Sequence, residues 1–432
     1  MSRPDSRLGL SLRSSLLLGG TLALAGCAGQ VPYLSSGAGA PALLAPPGVP
    51  QAAPSGYGRT GGNVLLLAPL TGSLAPVGQA LVNAAKLAFP ASGGPGLDIR
   101  DTGGTPEGAA TAAQAGLAAG DGIIIGPLTS GETQAVAPIA KAAGVNVLAF
   151  TNDGSVAAPG VWPLGITPSQ QVERVLQVAA DAGRTQLAAL LPDTEFGHHL
   201  SDAISAETSK LGEPAAQITF YEPGFTGVNQ AVEQLSDFAD RGQGLMNQIK
   251  RAEDLGTAAG RAKAAALKHQ QVPPPSFNAL FIGATDANTL AELANFLPYY
   301  DVSPPQVQFL GPALWANLAP QMANQSVFIG AMYAAADPAA GTAFANKYQS
   351  AYGAVPPAIA EVAFDAAAIA ELAAGQGGYT SSVLTAPAGF TGADGVLALH
   401  PDGTVSRGLA VFSVEPGQPV MTSPGPANLN QP

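Results

Sequence analysis

From Asn63 onward, short apolar segments alternate with longer segments in which apolar residues recur every three or four positions. Short continuous apolar runs are typical of strands buried on both faces, and helix-length spacers between them indicate parallel strands joined by crossover helices. The first unit of this kind predicts strands at 64–69, 97–101, 122–125 and 145–150. The predicted helices between them lie at 77–89, 105–119 and 130–143. Thr105 and Ser130 are predicted to cap the second and third of these helices.

A second alternating unit begins at Thr167-Pro168-Ser169-Gln170, which has the sequence of a helix capping box. Its predicted strands are 186–191, 216–221, 279–282, 306–310 and 327–332. Helices at about 340–352 and 358–374 follow, and 395–399 is predicted to form a hairpin with 409–414. Two successive α/β units predict two Rossmann-like lobes with parallel sheets, and a binding site in the crevice at the carboxyl ends of the strands.

Residues before Asn63 do not show this alternation between the continuous apolar runs of buried strands and the three-to-four-residue spacing of helices. Arg3, Arg7 and Arg13 precede an apolar stretch that ends at Leu24-Ala25-Gly26-Cys27 and is too short for a transmembrane helix. This segment resembles the lipobox of bacterial lipoproteins. The resemblance implies that 1–26 is a signal peptide, that Cys27 is lipidated, and that Ala28 directs the protein to the periplasmic side of the outer membrane. An ordinary signal peptide with a chance cysteine is the alternative.

The segment after the cysteine has the composition of a linker. Residues 28–62 are mostly Ala, Gly, Pro and Ser, with Arg59 as their only charge, so 27–62 is predicted to be a lipidated cysteine followed by a flexible tether. Residues 422–432 are predicted to be a disordered tail.

Charge and composition exclude several classes of function. The chain has 18 Lys and Arg against 30 Asp and Glu, a net charge of −12, which argues against a general nucleic-acid binder. One cysteine permits no intramolecular disulfide, and with four histidines a Cys/His zinc site is not expected.

Three short sequences resemble catalytic, cofactor-binding or metal-binding motifs, but their positions in the chain argue against those functions. The GxGxxG at 56–61 precedes the first strand, Asp101-Thr102-Gly103 has no second copy, and the adjacent His198 and His199 would point about 100° apart on a helix. We therefore predict no catalytic residue, no metal, no cofactor and no enzymatic activity.

Small polar residues and one aromatic residue follow five of the predicted strands. Hydroxyls and free backbone N–H groups at helix N-termini suit a carboxylate or another polar ligand. Each loop taken alone is better explained as a helix cap or turn, but five such loops ending five strands favour a cleft. The candidate cleft residues are Thr71, Ser73, Ser130, Thr151, Asn152, Asp153, Phe196, Thr285 and Asp286.

Three segments carry a resemblance to a known family: APLTGSLAPVGQALVNAAKLAF, IIIGPLTSGETQAVAPIAKAAGVNVLAF and PDTEFG. They resemble the type I periplasmic binding proteins of the leucine/isoleucine/valine-binding class. The resemblance implies two lobes joined by a three-strand hinge. Lobe 1 would comprise 63–166 and 308–382, and lobe 2 would comprise 167–307 and 383–421.

The same resemblance implies ligand-binding roles. Ser130 falls on the serine that holds a ligand carboxylate, and Phe196 falls on the tyrosine that stacks on the ligand. Asn152 and Asp153 stand where the family has a small residue and a threonine, and Asn288 stands where it has the ammonium-binding glutamate, with Asp286 the nearest acid. Two of the four ligand-binding positions therefore differ from the family, which weakens the assignment of this chain as an amino-acid receptor.

An extra segment at 242–275, which we call the arm, separates a predicted helix at 228–239 from the strand at 279. It is predicted to be helical and to expose Lys250, Arg251, Arg261 and Lys263, either as a solvated surface or as a docking site for a partner protein. The arm, the sequence LPYYDVSPPQVQFLGPALW, the lipobox and the tether resemble the outer-membrane lipoprotein activators of penicillin-binding proteins. That resemblance implies a peptidoglycan synthase as partner. The alternative is a lipid-anchored receptor for branched-chain or related amino acids, with an ABC permease as partner.

Overall fold

The computed structural model describes residues 58–89, 93–270, 272–426 and 429. Cys27, the predicted signal peptide, the tether up to residue 57 and most of the segment after 426 lie outside the described residues. Among the helices that the structure describes, none is both long and apolar enough to cross a membrane.

The first sheet is parallel and has five strands, in the order β2-β1-β3-β4-β5. The strands are β1 (Val64–Ala68), β2 (Leu97–Asp101), β3 (Ile123–Ile125), β4 (Asn146–Ala149) and β5 (Val161–Pro163). The helices between them are α1 (Ala75–Ala88), α2 (Pro106–Ala119) and α3 (Ser130–Ala143). Every residue of β1 is fully buried, as a continuous apolar run requires. The predicted four-strand unit is confirmed and gains β5, which the sequence pattern did not indicate.

Helix capping follows the sequence with one correction. Thr105 caps α2 by accepting a hydrogen bond from the Gly108 N–H at 3.1 Å, as predicted. The cap of α3 is Thr129 and not Ser130, because Thr129 forms a reciprocal capping box with Glu132. This leaves the hydroxyl of Ser130 free for other interactions.

The second sheet has seven strands, in the order β15-β14-β10-β9-β8-β6-β7. The chain continues through α4 (Pro168–Asp181), β6 (Leu187–Pro192), α5 (Glu195–Leu211), β7 (Gln217–Tyr221), α6 (Phe225–Ser236), α7 (Phe238–Asp254), α8 (Ala258–Lys268), β8 (Ala279–Ile282), α9 (Ala287–Tyr299), β9 (Gln308–Gly311), α10 (Trp315–Met322) and β10 (Met332–Ala335). The five strands from β6 to β10 are parallel to one another. Thr167 and Gln170 form the predicted capping box at the start of α4.

The predicted lobe boundaries are wrong for two segments, 308–335 and 383–407. Residues 308–335 belong to lobe 2 and not lobe 1, because β9 pairs with β8 and β10 pairs with β9.

The predicted strand at 327–332 begins only at Met332, since 326–328 is a short 3-10 helix whose Phe328 is fully buried beside Trp315. The apolar character of this stretch comes from core packing and not from strand pairing.

The remaining elements divide between the lobes. They are α11 (Pro338–Tyr352), α12 (Ile359–Gly375), α13 (Ser381–Leu384), β11 (Phe390–Gly392), β12 (Gly395–Leu399), β13 (Val405–Arg407), β14 (Ala410–Ser413) and β15 (Val420–Ser423). The small antiparallel sheet β11-β12-β13 packs into the lobe 1 core with α11 and α12, so 383–407 also belongs to lobe 1. The chain passes between the lobes three times, after residues 163, 335 and 407.

The end of the chain differs from prediction as well. The predicted hairpin partner of β12 is wrong: β12 pairs with β13, whereas β14 pairs antiparallel with β10 and β15. Two strands of different sheets follow one another here because the chain crosses the hinge between them. Predicted disorder from residue 422 is also wrong for its first part, because β15 includes 422 and 423 and is bonded to β14.

Candidate functional site

The two lobes face each other across a cleft of about 750 Å³. Loops after β3 and β4 and the start of α12 line it from lobe 1, and the N-termini of α5 and α10 line it from lobe 2. Two of the chain segments that cross the hinge form part of the cleft wall, at Gly165 and Ala336. The cleft therefore lies at the carboxyl ends of the strands, as the alternating pattern predicts.

Five of the nine predicted cleft residues line this cleft: Ser130, Thr151, Asn152, Asp153 and Phe196. The other four, Thr71, Ser73, Thr285 and Asp286, are absent from the lining of this cleft.

Two of these absences have a structural cause. Thr71 donates its hydroxyl hydrogen to Asp101 at 2.7 Å, and Asp101 also accepts backbone N–H groups of Leu70 and Gly103. The Asp101-Thr102-Gly103 sequence thus ties together two loops of lobe 1. Asp286 is the N-cap of α9, where it accepts hydrogen bonds from the backbone and the hydroxyl of Thr289. Its carboxylate is therefore occupied at the helix terminus.

Asp153 is the central polar group of the lobe 1 wall. Partial burial acts to raise the pKa of its carboxyl, but hydrogen bonds from Ser155 and Ser130 and the charge of His199 outweigh burial, so the pKa is lowered. Ser130 and His199 both line the cleft, from opposite lobes. Groups from both lobes, Ser130 of lobe 1 and His199 of lobe 2, therefore favour the charged form of Asp153.

Four ionisable lining residues were not predicted: Glu195, His199, Glu361 and Asp394. The adjacent histidines separate as their spacing on a helix requires. His198 pairs with Asp193 at 2.9 Å on the surface, while His199 faces the cleft. Among the described residues no group of three or more His, Cys, Asp or Glu side chains is arranged to hold a metal ion.

A buried charge cluster lies behind the cleft at the hinge. Arg407 on β13 places Nη1 at 3.5 Å from Asp394 and 3.9 Å from Asp365, and Arg407 also donates to the carbonyl oxygen of Leu164. Asp365 on α12 is fully buried and accepts the backbone N–H of Ala393 at 2.6 Å. The cluster joins α12 to two of the three segments that connect the lobes.

This cluster has three carboxyl groups and one guanidinium. Burial, followed by the neighbouring carboxyl of Asp394, raises the pKa of Glu361 to about 9. Burial and Asp394 also raise the pKa of Asp365 to about 7. Glu361 is therefore protonated at neutral pH. A sequence signal existed, because Glu361 and Asp365 stand four residues apart in a mostly apolar helix, but Asp394 gave none.

The arm is a helical hairpin built from α7 and α8. Its interior is a separate small hydrophobic cluster of Ile249, Ala252, Ala264 and Leu267, and the two helices pack mainly on each other. The chain leaves α6 at Asp237, whose φ of 50° lies in the left-handed region and redirects the backbone into α7.

Arg241 fixes the base of the arm to lobe 2. Its guanidinium donates to the carbonyl oxygens of Ser236 at 2.7 Å, Pro273 at 2.6 Å and Tyr300 at 2.8 Å, and lies 5.7 Å from the ring of Phe238. The side chains of Lys250, Arg251, Arg261 and Lys263 are all exposed. With five basic and two acidic residues, the arm has a net charge of 5 − 2 = +3, against −12 for the whole chain.

The family model described as "Periplasmic binding protein" matches residues 63–418. The chain belongs to the periplasmic binding protein family. Its two α/β lobes with parallel-dominated sheets have the type I architecture of that family.

Solved structures with this fold include proteins of two different roles. A protein from Rhodospirillum rubrum, described as a branched-chain amino acid ABC transporter, superposes with a TM-score of 0.63 at 19% identity, over 83% of this chain and 99% of that one. The C-domain of LpoA from Haemophilus influenzae, described as a regulator of PBP1A, superposes with a TM-score of 0.59 at 16% identity, with the same coverage. Identities this low show a shared fold.

Two further similar proteins are matched over only part of their own length. This periplasmic binding protein spans 60% of full-length LpoA, with a TM-score of 0.60. It is 25% identical over 118 residues to an uncharacterized protein of Rickettsia prowazekii, a match that covers 27% of this chain and 32% of the relative.

Proposed function

We propose that this periplasmic binding protein is a non-catalytic, lipid-anchored envelope protein that activates a penicillin-binding peptidoglycan synthase, and that the arm is its docking element. The lipid anchor is Cys27, on the periplasmic side of the outer membrane. Resemblance of the lipobox and tether to outer-membrane lipoprotein activators supports the anchoring. The fold shared with the LpoA C-domain supports the role.

The observation that carries the proposal is the arm itself. A helical hairpin with its own core and a net charge of +3 stands on a protein of net charge −12. Lys250, Arg251 and Lys263 make no hydrogen bond or ion pair within the part of the chain that the structure describes, so they are available to a partner. Charges of this kind contribute mainly to encounter rate and orientation.

The cleft supports the same choice. Ser130, which the resemblance assigns to a ligand carboxylate, lines the cleft together with Asp153, whose negative charge disfavours a second carboxylate, and Asp286 is occupied as a helix cap. Four carboxyl residues, Asp153, Glu195, Glu361 and Asp394, line the cleft, and no Lys or Arg is among its described lining residues. An α-amino acid needs both of its charged groups paired when it is buried. In this cleft Ser130 shares its wall with an acid, and the resemblance places Asn288 where the family has the ammonium-binding glutamate.

The test measures binding of the purified protein to the periplasmic part of the penicillin-binding synthase of the same organism. Reversal of the four exposed arm residues (Lys250, Arg251, Arg261 and Lys263) to Glu should weaken binding at least tenfold and reduce its dependence on salt. A matched comparison changes only two lysines. Lys250→Glu with Lys263→Glu should weaken binding, whereas Lys86→Glu with Lys141→Glu, two exposed lysines of lobe 1, should not. Equal effects of the two pairs would contradict a docking role for the arm.

A second candidate function is a lipid-anchored receptor of an ABC importer, for branched-chain or related amino acids. A specific observation favours it: the 750 Å³ cleft is lined from both lobes and presents the ring of Phe196. A panel of amino acids in a thermal-shift assay separates the two functions. At 100 times its Kd a ligand stabilises the folded state by about 2.7 kcal/mol, so a receptor would respond clearly. The activator proposal predicts no response to leucine.

A further inference from the structure

Two aromatic side chains are strongly exposed next to the base of the arm. Phe225, the first residue of α6, is 66% exposed, and Tyr299, the last residue of α9, is 71% exposed. The ring of Phe225 lies 4.7 Å from that of Phe296, and the ring of Tyr299 lies 4.9 Å from that of Tyr300. Phe296 and Tyr299 are three residues apart on one helix and therefore lie on the same side of it.

The floor of this aromatic patch is rigid. Phe296 and Tyr300 are only 9% and 7% exposed, and both belong to the lobe 2 core. Tyr300 also donates its hydroxyl hydrogen to Asn229 on α6 at 3.1 Å. The exposed rings of Phe225 and Tyr299 thus rest on fixed neighbours, so a partner would order few side chains on contact.

The patch is continuous with the arm. The ring of Tyr300 lies 5.6 Å from that of Phe238, at the start of α7, and the carbonyl oxygen of Tyr300 accepts the hydrogen bond from Arg241. The same residues therefore support the exposed rings and hold the arm in place. This also accounts for part of the LPYYDVSPP sequence: Tyr300 is a structural residue, while its neighbour Tyr299 projects into solvent.

Exposed aromatic residues that rest on buried core rings, beside the base of a positively charged arm, match the composition of protein interfaces. Tyr and Phe are enriched at interface cores and Tyr is enriched at hot spots, and charged residues surround them at the rim. Apolar patches rimmed by polar residues mark interaction sites on soluble proteins.

We infer that Phe225 and Tyr299 form the apolar centre of one docking surface, whose basic rim is the arm, and that its occupant is a protein presenting acidic residues around an apolar pocket. The charge of the arm selects the acidic rim, and the two rings require the pocket. This inference rests on the proposed function, because it identifies the occupant with the peptidoglycan synthase.

The test compares the Phe225→Ala, Tyr299→Ala double variant with Val355→Ala in synthase binding. Val355 is 76% exposed and lies in lobe 1, between α11 and α12, so it controls for loss of an exposed apolar side chain. The double variant should bind at least tenfold more weakly, with an unchanged melting temperature and an unchanged salt dependence, since no charge is removed. Val355→Ala should bind normally. Tyr299→Phe keeps the aromatic ring and should retain most of the binding. This variant also tests the need for the ring if the double variant folds poorly, and a large loss of binding in it would contradict the inference.

The outcomes separate this inference from the proposed function. If arm reversal weakens binding and the aromatic double variant does not, the patch inference fails while the function stands. If neither change has an effect, the arm as docking element fails and takes the patch inference with it. Self-association of the wild-type chain in light scattering that the double variant loses, with synthase binding unaffected, would assign the patch to a second copy and overturn the inference.

Discussion

Removal of the Arg241 side chain should release the arm while both lobes stay folded. Arg241 makes three hydrogen bonds that join α6, the end of the arm and α9, whereas α7 and α8 contact mainly each other. The arm core has only four buried side chains, and two helices of this length are marginal on their own in water. Loss of the anchor should therefore favour local unfolding of the arm.

The magnitude follows from the three contacts. A hydrogen bond to a charged group contributes about 1.5–3 kcal/mol. Arg241 is partly exposed, and water can replace some of the lost donors, so we take the sum as about 2–4 kcal/mol rather than the full total. At about 1.4 kcal/mol per tenfold change, the opening equilibrium of the arm should increase by about 30-fold to nearly 1000-fold in Arg241→Ala.

Hydrogen–deuterium exchange measures this opening directly. Peptides from α7 and α8 should lose protection by that factor in Arg241→Ala, while peptides from β1 and β6 should exchange as in the wild type. Arg261→Ala is the control, because within the described residues Arg261 bonds only the carbonyl oxygen of Gly256, at the far end of the arm. Unchanged protection of α7 and α8 in Arg241→Ala would refute the anchoring role.

Three further predictions concern the anchor, the hinge and the first lobe. Cys27→Ser should move the protein from the membrane to the soluble fraction on cell fractionation; a processed, membrane-bound variant would contradict lipidation. The pKa of Glu361 is raised to about 9 in the folded state, so its contribution to stability is present below about pH 4.5 and is lost as the pH rises towards 9. Glu361→Gln should therefore show a smaller fall in melting temperature between pH 5 and 9 than the wild type or the exposed control Glu107→Gln, and parallel curves would refute the assignment. Thr129→Ala removes the cap of α3 and should lower the free energy of unfolding by about 1–2 kcal/mol in urea titrations, whereas Ser130→Ala should leave it nearly unchanged.

The sequence predicts local structure well where burial on both faces imposes a continuous apolar run. The strands β1, β3, β4 and β8 lie at or within one or two residues of the predicted positions for this reason. Capping at Thr105 and Thr167 is equally local, because donor and acceptor stand three residues apart.

Lobe membership depends on which strands pair, and pairing is not a local property. An apolar run such as 308–311 fits either sheet by composition, and only its register with β8 assigns it to lobe 2. The charge cluster at the hinge could not be predicted from the sequence for a similar reason. Asp365 and Arg407 are 407 − 365 = 42 positions apart along the chain and meet only in the folded protein. In the cleft, residue type indicated Ser130 and Asp153 separately, but not that Ser130 and His199 of the opposite lobe together favour the charged form of Asp153.

The most direct test of the central claim is reconstitution of the purified protein, without its lipid anchor, with the purified penicillin-binding synthase and its lipid-linked substrate. The account predicts that addition of the protein increases the rate of peptidoglycan synthesis, and that the variant with Lys250, Arg251, Arg261 and Lys263 reversed to Glu increases it far less. A synthase rate that does not change on addition of the wild-type protein, together with a clear thermal shift in leucine, would contradict the account and establish a solute receptor.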